Sequence, residues 1–115
     1  EGKVGAGHFK YNKHDFLRNT KDFPKIIANE GWIPEVFEGQ EERKYKFVHV
    51  DVDLLEPTLA SLAYFSSRMV KGGVILCDDF SCLPWTAMRV ALEQEINKRG
   101  WDALPLSTGQ LVLFF

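Results

Sequence analysis

A strand–helix–strand pattern between residues 45 and 80 constrains the fold of this chain more than any other feature. The segment 45–53 (YKFVHVDVD) is β-branched and aromatic, and 74–77 (VILC) is a second apolar run. Nearly continuous apolar character is typical of strands buried on both faces of a parallel sheet. A helix between two such strands makes them parallel neighbours. We therefore predict an α/β fold built on this unit.

The connecting segment has the features of the crossover helix. Pro57 suits the first helical turn, and apolar residues follow at intervals of three and four. Lys71 supplies a cationic last turn, and the glycines at 72 and 73 can adopt the positive φ that ends many helices. The pattern predicts that the helix ends there and that the second strand begins at Val74.

The flanking segments complete the predicted α/β order. Asn12 or the Asp15 region opens a short helix that Pro24 stops, and 25–30 is a short strand candidate. After the central unit, a helix begins near Pro84 and closes at Gly100. The final segments, 102–106 and 110–115, flank a Ser-Thr-Gly turn and predict a β-hairpin.

Length and composition exclude several classes of protein. The 115 residues favour one domain, and a formal net charge of -2 without a cluster of Lys and Arg argues against nucleic-acid binding. The apolar runs are too short to span a membrane, and no secretory signal opens the chain, so we expect a cytoplasmic protein. The spacing of Cys77 and Cys82 matches no zinc site and disfavours a disulfide.

Acidic residues follow both central strands. Asp51 ends the first strand, and Asp78 and Asp79 end the second. Neighbouring strands lie ~4.8 Å apart, so these carboxylates are candidate ligands of one ion. Two bare carboxylates about 4 Å apart repel by ~4 kcal/mol at an effective dielectric of 20, which a cation would relieve. Oxygen ligands favour a hard ion such as Mg²⁺, Ca²⁺ or Mn²⁺.

Structural roles remain open for several of these residues. Asp53 or Glu56 would serve equally well as a cap for the helix at Pro57. His49 lies within the strand and is predicted to be a hydrogen-bonded core residue rather than a ligand. Aromatic residues beside the strand ends, Trp32, Phe80 and Trp85, would line a ligand pocket or belong to the core.

Three segments together resemble the macrocin O-methyltransferase (TylF-like) family of class I methyltransferases, which use S-adenosylmethionine. They are GWIPEVF at 31–37, FVHVDVDLLEPTLASL at 47–62 and GGVILCDDF at 72–80. The second resembles the family's fourth-strand motif, in which two acids separated by one residue precede a helix. The third resembles its fifth-strand motif, which ends in paired acids. The order and spacing of the segments match the family.

The resemblance implies a fold, an activity and a set of site residues. The fold would be a Rossmann-like methyltransferase sheet, mostly parallel, with a C-terminal antiparallel hairpin. The activity would be methylation of a sugar or small-molecule hydroxyl, with Mg²⁺ or another hard divalent cation. The implied metal ligands are Asp51, Asp78 and Asp79, and Asp53 is the implied general base. Gly31, Trp32 and Asp51 are the implied contacts of S-adenosylmethionine.

One departure from the family affects the prediction. The family's first strand with its glycine-rich loop, and the acid after its second strand that holds the ribose, have no counterpart here. We therefore expect a partial domain, the carboxyl-terminal portion of the fold, lacking the first two strands. An exposed edge at 47–53 would then favour a homo-oligomer. The alternatives are a non-catalytic α/β binding or assembly module and, less favoured, a metal-dependent hydrolase.

Overall fold

The computed structural model describes residues 12–40, 42–81 and 86–115. The chain divides into two compact units, Glu1–Gly31 and Trp32–Phe115. No helix within the described ranges is long and apolar enough to cross a membrane.

The described part of the first unit contains one helix, α1 (Lys13–Thr20). Asn12 caps it, because its side chain accepts a hydrogen bond from the backbone N–H of His14 at 2.9 Å. This confirms the predicted start at Asn12. The helix ends before Pro24, and the N–H of Phe23 donates to the carbonyl of Thr20 in a turn.

The predicted strand at 25–30 is wrong. Those residues form no strand and are exposed to solvent, with 63% of Ile27 accessible. A strand is stabilised by hydrogen bonds to a neighbour, and no other strand of the described residues pairs with this segment.

The second unit is a small α/β domain around a four-stranded mixed sheet. Its strands are β1 (Tyr45–Val50), β2 (Met69–Cys77), β3 (Asp102–Pro105) and β4 (Leu111–Phe114), in the order β1-β2-β4-β3. Its helices are α2 (Leu55–Ser66), α3 (Thr86–Arg99) and a 3₁₀ turn (Glu35–Phe37).

The strand–helix–strand unit and the C-terminal hairpin are confirmed. The expectation of a mostly parallel sheet is wrong, because β1–β2 is parallel while the hairpin adds two antiparallel pairings.

The two faces of the sheet differ in burial. On the face that we call the covered face, Val48, Val50, Ile75, Leu111 and Leu113 are buried. They form one core with Leu62 of α2 and with Met88 and Leu92 of α3. Both helices therefore pack against this face.

The opposite face, the open face, carries apolar side chains that stay accessible. Phe47, Leu104 and Phe114 are 60%, 51% and 44% exposed, and register places Val74, Leu76 and Val112 between them. The prediction that β1 is buried on both faces is therefore wrong. The strand is nearly continuous in apolar residues, yet only one face of the sheet is covered. The buried residues of both α2 and α3 belong to the core on the covered face.

The glycines at 72 and 73 do not end a helix, contrary to the sequence prediction. The helix ends at Ser66, and β2 begins at Met69, so Gly72 and Gly73 lie inside the strand. Gly72 has a φ of 74°, and its N–H donates to the carbonyl of Phe115 at 2.6 Å. The register of β1 against β2 shifts at this point. Positive φ at glycine was predicted correctly, but it forms a β-bulge instead of a helix terminus.

The third helix follows the predicted pattern. Met88 and Leu92 are buried, and Gly100 follows the last turn with a φ of 67°. The predicted start at Pro84, together with Cys82 and Trp85, lies outside the described residues.

Cys77 is buried on β2, and burial, with a smaller effect of the charge of Asp79, raises its pKa to about 12. The thiol is thus a small apolar residue of the core.

Candidate metal-binding site

The carboxyl ends of β1 and β2 lie side by side. Val50 pairs with Cys77 in the parallel ladder, and the N–H of Asp78 donates to the carbonyl of Val50 at 3.0 Å. The acidic residues that follow the two strands therefore converge at one edge of the sheet, as predicted from their order in the chain.

Three carboxylates form a cluster at this edge, which we call the acidic triad: Asp51, Asp53 and Asp79. One oxygen of each lies within 4.8 Å of the others. Asp53 has a φ of 57°, a left-handed conformation that Asp adopts more readily than most residues. Its backbone N–H lowers the pKa of the Asp79 carboxyl, against the larger effects that raise it. The loop after β1 thus folds back toward the end of β2.

The triad is electrostatically unfavourable without a cation. The pKa of Asp79 is raised to about 6, first by burial and then by the charges of Asp53, Asp51 and Asp78, while the N–H of Asp53 opposes the shift. Within the described ranges, no Lys, Arg or His forms an ion pair with the triad. Clustered carboxylate oxygens suit a hard divalent cation, so the donor set fits Mg²⁺, Ca²⁺ or Mn²⁺.

Asp78 lies next to Asp79 in the chain but has different partners. Its Oδ1 accepts a hydrogen bond from Nε2 of Gln110 at 2.7 Å and lies 3.5 Å from Nε2 of His49. Successive side chains of an extended chain point to opposite sides, so Asp78 follows the open-face residues and Asp79 follows the covered-face residues. The sequence predicts that Asp78 and Asp79 bind one ion, but their side chains point to opposite faces of the sheet.

His49 is not the core residue that the sequence predicts. Its side chain is 43% exposed, because His49 shares the open face with its register partner Leu76. Phe80, in contrast, is 2% exposed and belongs to the core. The capping alternative for Asp53 is also wrong, since the N-cap of α2 is Leu54 and no side chain caps it.

The predicted cofactor contacts are exposed residues in different parts of the chain. Gly31 belongs to the first unit, whereas Trp32 and Asp51 belong to the second. The side chain of Trp32 is 76% exposed. Their role as contacts of S-adenosylmethionine stays a prediction.

The resemblance to macrocin O-methyltransferases implies proton transfer for Asp53 and does not group it with the metal ligands. The spacing Asp51-Val52-Asp53 was a usable signal, because residues two apart in an extended segment share a side. Gln110 was missed entirely. Gln110 approaches Asp78 because β4 pairs with β2. This pairing is a long-range contact that no short sequence motif predicts.

Comparison of the chain with models of known protein families and with curated protein sequences finds no match.

Proposed function

We propose that the acidic triad binds a hard divalent cation such as Mg²⁺ and that the chain contributes the metal-binding part of an S-adenosylmethionine-dependent O-methyltransferase. The acceptor would be a hydroxyl of a sugar or another small molecule. The observation that carries the proposal is the approach of three carboxylates to within 4.8 Å with no protein cation paired to them among the described residues.

The resemblance of 31–37, 47–62 and 72–80 to macrocin O-methyltransferases supports the assignment to this reaction. A Rossmann-like origin of the sheet is part of the proposal. It is supported by the parallel β1–β2 pair joined through α2 and by a candidate site beyond the carboxyl ends of those strands, where such sheets bind ligands.

The residues of the triad suit two tasks. Asp51 and Asp79, at the ends of adjacent strands, would hold the ion. When bound, a divalent ion would lower the pKa of a coordinated substrate hydroxyl. Asp53 has two carboxylate oxygens, so one can contribute to binding while the other accepts the hydroxyl proton. One of its oxygens lies within 4.8 Å of an oxygen of each of the other two acids.

The methyl donor is inferred from the resemblance alone. S-adenosylmethionine would supply an electrophilic methyl group, but nothing in residues 1–115 matches the glycine-rich loop with which that family holds it. Its candidate contacts Gly31, Trp32 and Asp51 are exposed. Their contact with S-adenosylmethionine therefore rests on the resemblance.

Calorimetric titration of the 115-residue chain with Mg²⁺ at pH 7.5 tests the metal site. We expect Asp79→Asn to weaken binding at least about tenfold, equivalent to about 1.4 kcal/mol, because it removes one charged ligand. Asp78→Asn is the matched control and should leave the affinity nearly unchanged. Equal losses in both variants, or no binding by the unmodified chain, would contradict the proposal.

Acid should weaken metal binding in a defined range. The pKa of Asp79 is about 6 without metal, so at pH 5 most molecules must release a proton before the ion binds. We expect the apparent affinity to fall about tenfold between pH 7 and pH 5. Calorimetry in buffers of different ionisation enthalpy would detect the released proton, and a pH-independent affinity would exclude Asp79 as a ligand.

A non-catalytic assembly module derived from the same fold is the second candidate. The apolar open face favours it, because exposed apolar surface often marks an interaction site. Titration with S-adenosylmethionine, with and without Mg²⁺, separates the two candidates. Binding at millimolar cofactor supports the methyltransferase, whereas no heat at that concentration favours the assembly module.

A further inference from the structure

A pocket of about 330 Å³ lies at the end of β1 opposite to the acidic triad, and Glu42, Arg43, Lys44, Ser67 and Arg68 line it. Six residues of β1 separate Lys44 from Asp51, which corresponds to roughly 20 Å of extended chain. The pocket is therefore distinct from the candidate metal site.

The two walls of the pocket are fixed to each other by the fold. One wall is the segment that enters β1, and the other is the connection between α2 and β2. The N–H of Tyr45 donates to the carbonyl of Arg68 at 2.9 Å, and Tyr45 pairs with Met69. The pocket is thus built from segments that the sheet itself holds together.

Arg68 is held in place by aromatic residues. Its guanidinium carbon lies 3.9 Å from the centre of the Tyr64 ring, and that ring stacks on Phe37 at 4.3 Å. One terminal nitrogen donates to the carbonyl of Tyr64 at 2.8 Å and to Oγ of Ser67 at 3.3 Å. An arginine positioned in this way loses little entropy when it binds an anion through its other N–H groups.

The described residues that line the pocket carry excess positive charge. Lys44 and Arg68 form no ion pair with a carboxylate of the described residues, while Arg43 and Glu42 contribute opposite charges. Lys44 donates to the carbonyl of Ser67 at 3.3 Å, so part of its role is to stabilise the end of α2. The end of a helix supplies roughly half a negative charge, which does not balance two cations.

We propose that this pocket binds the phosphate group of a phosphorylated small molecule. The guanidinium of Arg68 offers paired donors to phosphate oxygens, and Lys44 adds a point charge. The volume of about 330 Å³ leaves room for an organic group beside the phosphate. This site does not depend on the proposed methyltransferase activity.

Amide chemical shifts of the ¹⁵N-labelled chain, followed during titration with inorganic phosphate at pH 7.5, test the proposal. We expect saturable changes centred on Lys44, Ser67 and Arg68, with a dissociation constant on the order of 1 mM. Arg68→Gln should weaken binding about tenfold. Glycerol 3-phosphate should bind at the same amides, and vesicles of anionic phospholipid should not bind the chain.

Arg99→Gln is the matched control. Arg99 also lies over an aromatic ring, that of Trp101 at 5.1 Å, but it is paired with Glu95 at 2.7 Å. Its loss should leave phosphate binding unchanged. Lys44→Gln provides a second variant in case Arg68→Gln disturbs α2, which circular dichroism would reveal. Non-saturable shifts, equal effects of the variants and the control, or binding to vesicles alone would overturn the proposal.

Discussion

The two faces of the sheet use the same four strands but differ in what covers them. On the covered face, Ile75 and Leu113 are fully buried beneath α2 and α3. On the open face, their chain neighbours Leu76 and Phe114 remain accessible. The same alternation continues past the strand ends, where Asp79 joins the acidic triad and Asp78 joins His49 and Gln110. Apolar side chains alone therefore do not distinguish the core from the surface in this molecule.

The largest expected contrast is in stability. Ile75→Ala should lower the free energy of unfolding by about 3–4 kcal/mol, because it leaves a cavity in a closed core. Leu76→Ala, one residue along on the open face, should cost about 1 kcal/mol because water already reaches the side chain. Urea denaturation followed by circular dichroism measures both values. Equal losses would show that the open face is covered in solution.

The adjacent glycines of the β-bulge offer a second matched pair. A Cβ at Gly73 would lie 2.8 Å from the backbone oxygen of Val70, whereas one at Gly72 would meet only the flexible end of Lys46 at 3.2 Å. We expect Gly73→Ala to cost about 2 kcal/mol and Gly72→Ala about 1 kcal/mol, the latter from its positive φ. Thermal unfolding would test this order, and a reversed order would contradict the bulge geometry.

The neighbouring acids Asp79 and Asp78 should respond differently to pH. Because the fold raises the pKa of Asp79 to about 6, the folded state binds the proton more tightly than the unfolded state does. Without metal, stability should therefore fall as the pH rises from about 4 to about 6 and then level off. Asp79→Asn should remove this dependence and add about 1 kcal/mol at pH 8, a value reduced by solvent screening.

Asp78→Asn is the control for that measurement. It should retain the fall in stability between pH 4 and pH 6, since Asp79 remains. Denaturation curves recorded across this range for both variants decide the point. A pH dependence that persists in Asp79→Asn would mean that another group produces it.

The smallest expected effect on stability lies on the open face. Phe47 is 60% exposed on an edge strand, so Phe47→Thr should change the free energy of unfolding by no more than about 0.5 kcal/mol. If two copies associate through this edge, as the sequence predicts, the substitution should shift sedimentation toward the monomer. Val90→Thr, at a 48% exposed position of α3, should not. A monomeric unmodified chain would contradict the prediction.

Much of the second unit was predictable because its signals are local. The order of β1, α2 and β2, the hairpin, and the convergence of acids at the strand ends follow from short apolar runs and turn residues. The exposed open face was not predictable, since burial depends on where both helices pack. The role of Gly72 was also missed, because positive φ occurs in bulges and at helix ends alike.

The convergence of acids at the strand ends was predictable, but which three carboxylates approach one another was not. Asp51 and Asp79 belong to the triad, as expected, whereas Asp53 takes the place assigned to Asp78. The side to which each acid points depends on the pleat and on the turn at Asp53. Two consecutive Asp residues at the end of a strand do not reveal the direction of either side chain or the presence of that turn.

The separation of Asp78 from Asp79 has a consequence for how this sequence would change in evolution. Because Asp78 and Asp79 are adjacent and identical, one would expect selection to act on both in the same way. Here Asp79 belongs to the acidic triad, whereas Asp78 accepts a hydrogen bond from Gln110 and lies 3.5 Å from His49. We expect Asn to be tolerated at 78 in lineages that retain Asp at 79, because the carboxylate of Asp78 is not one of the three that converge.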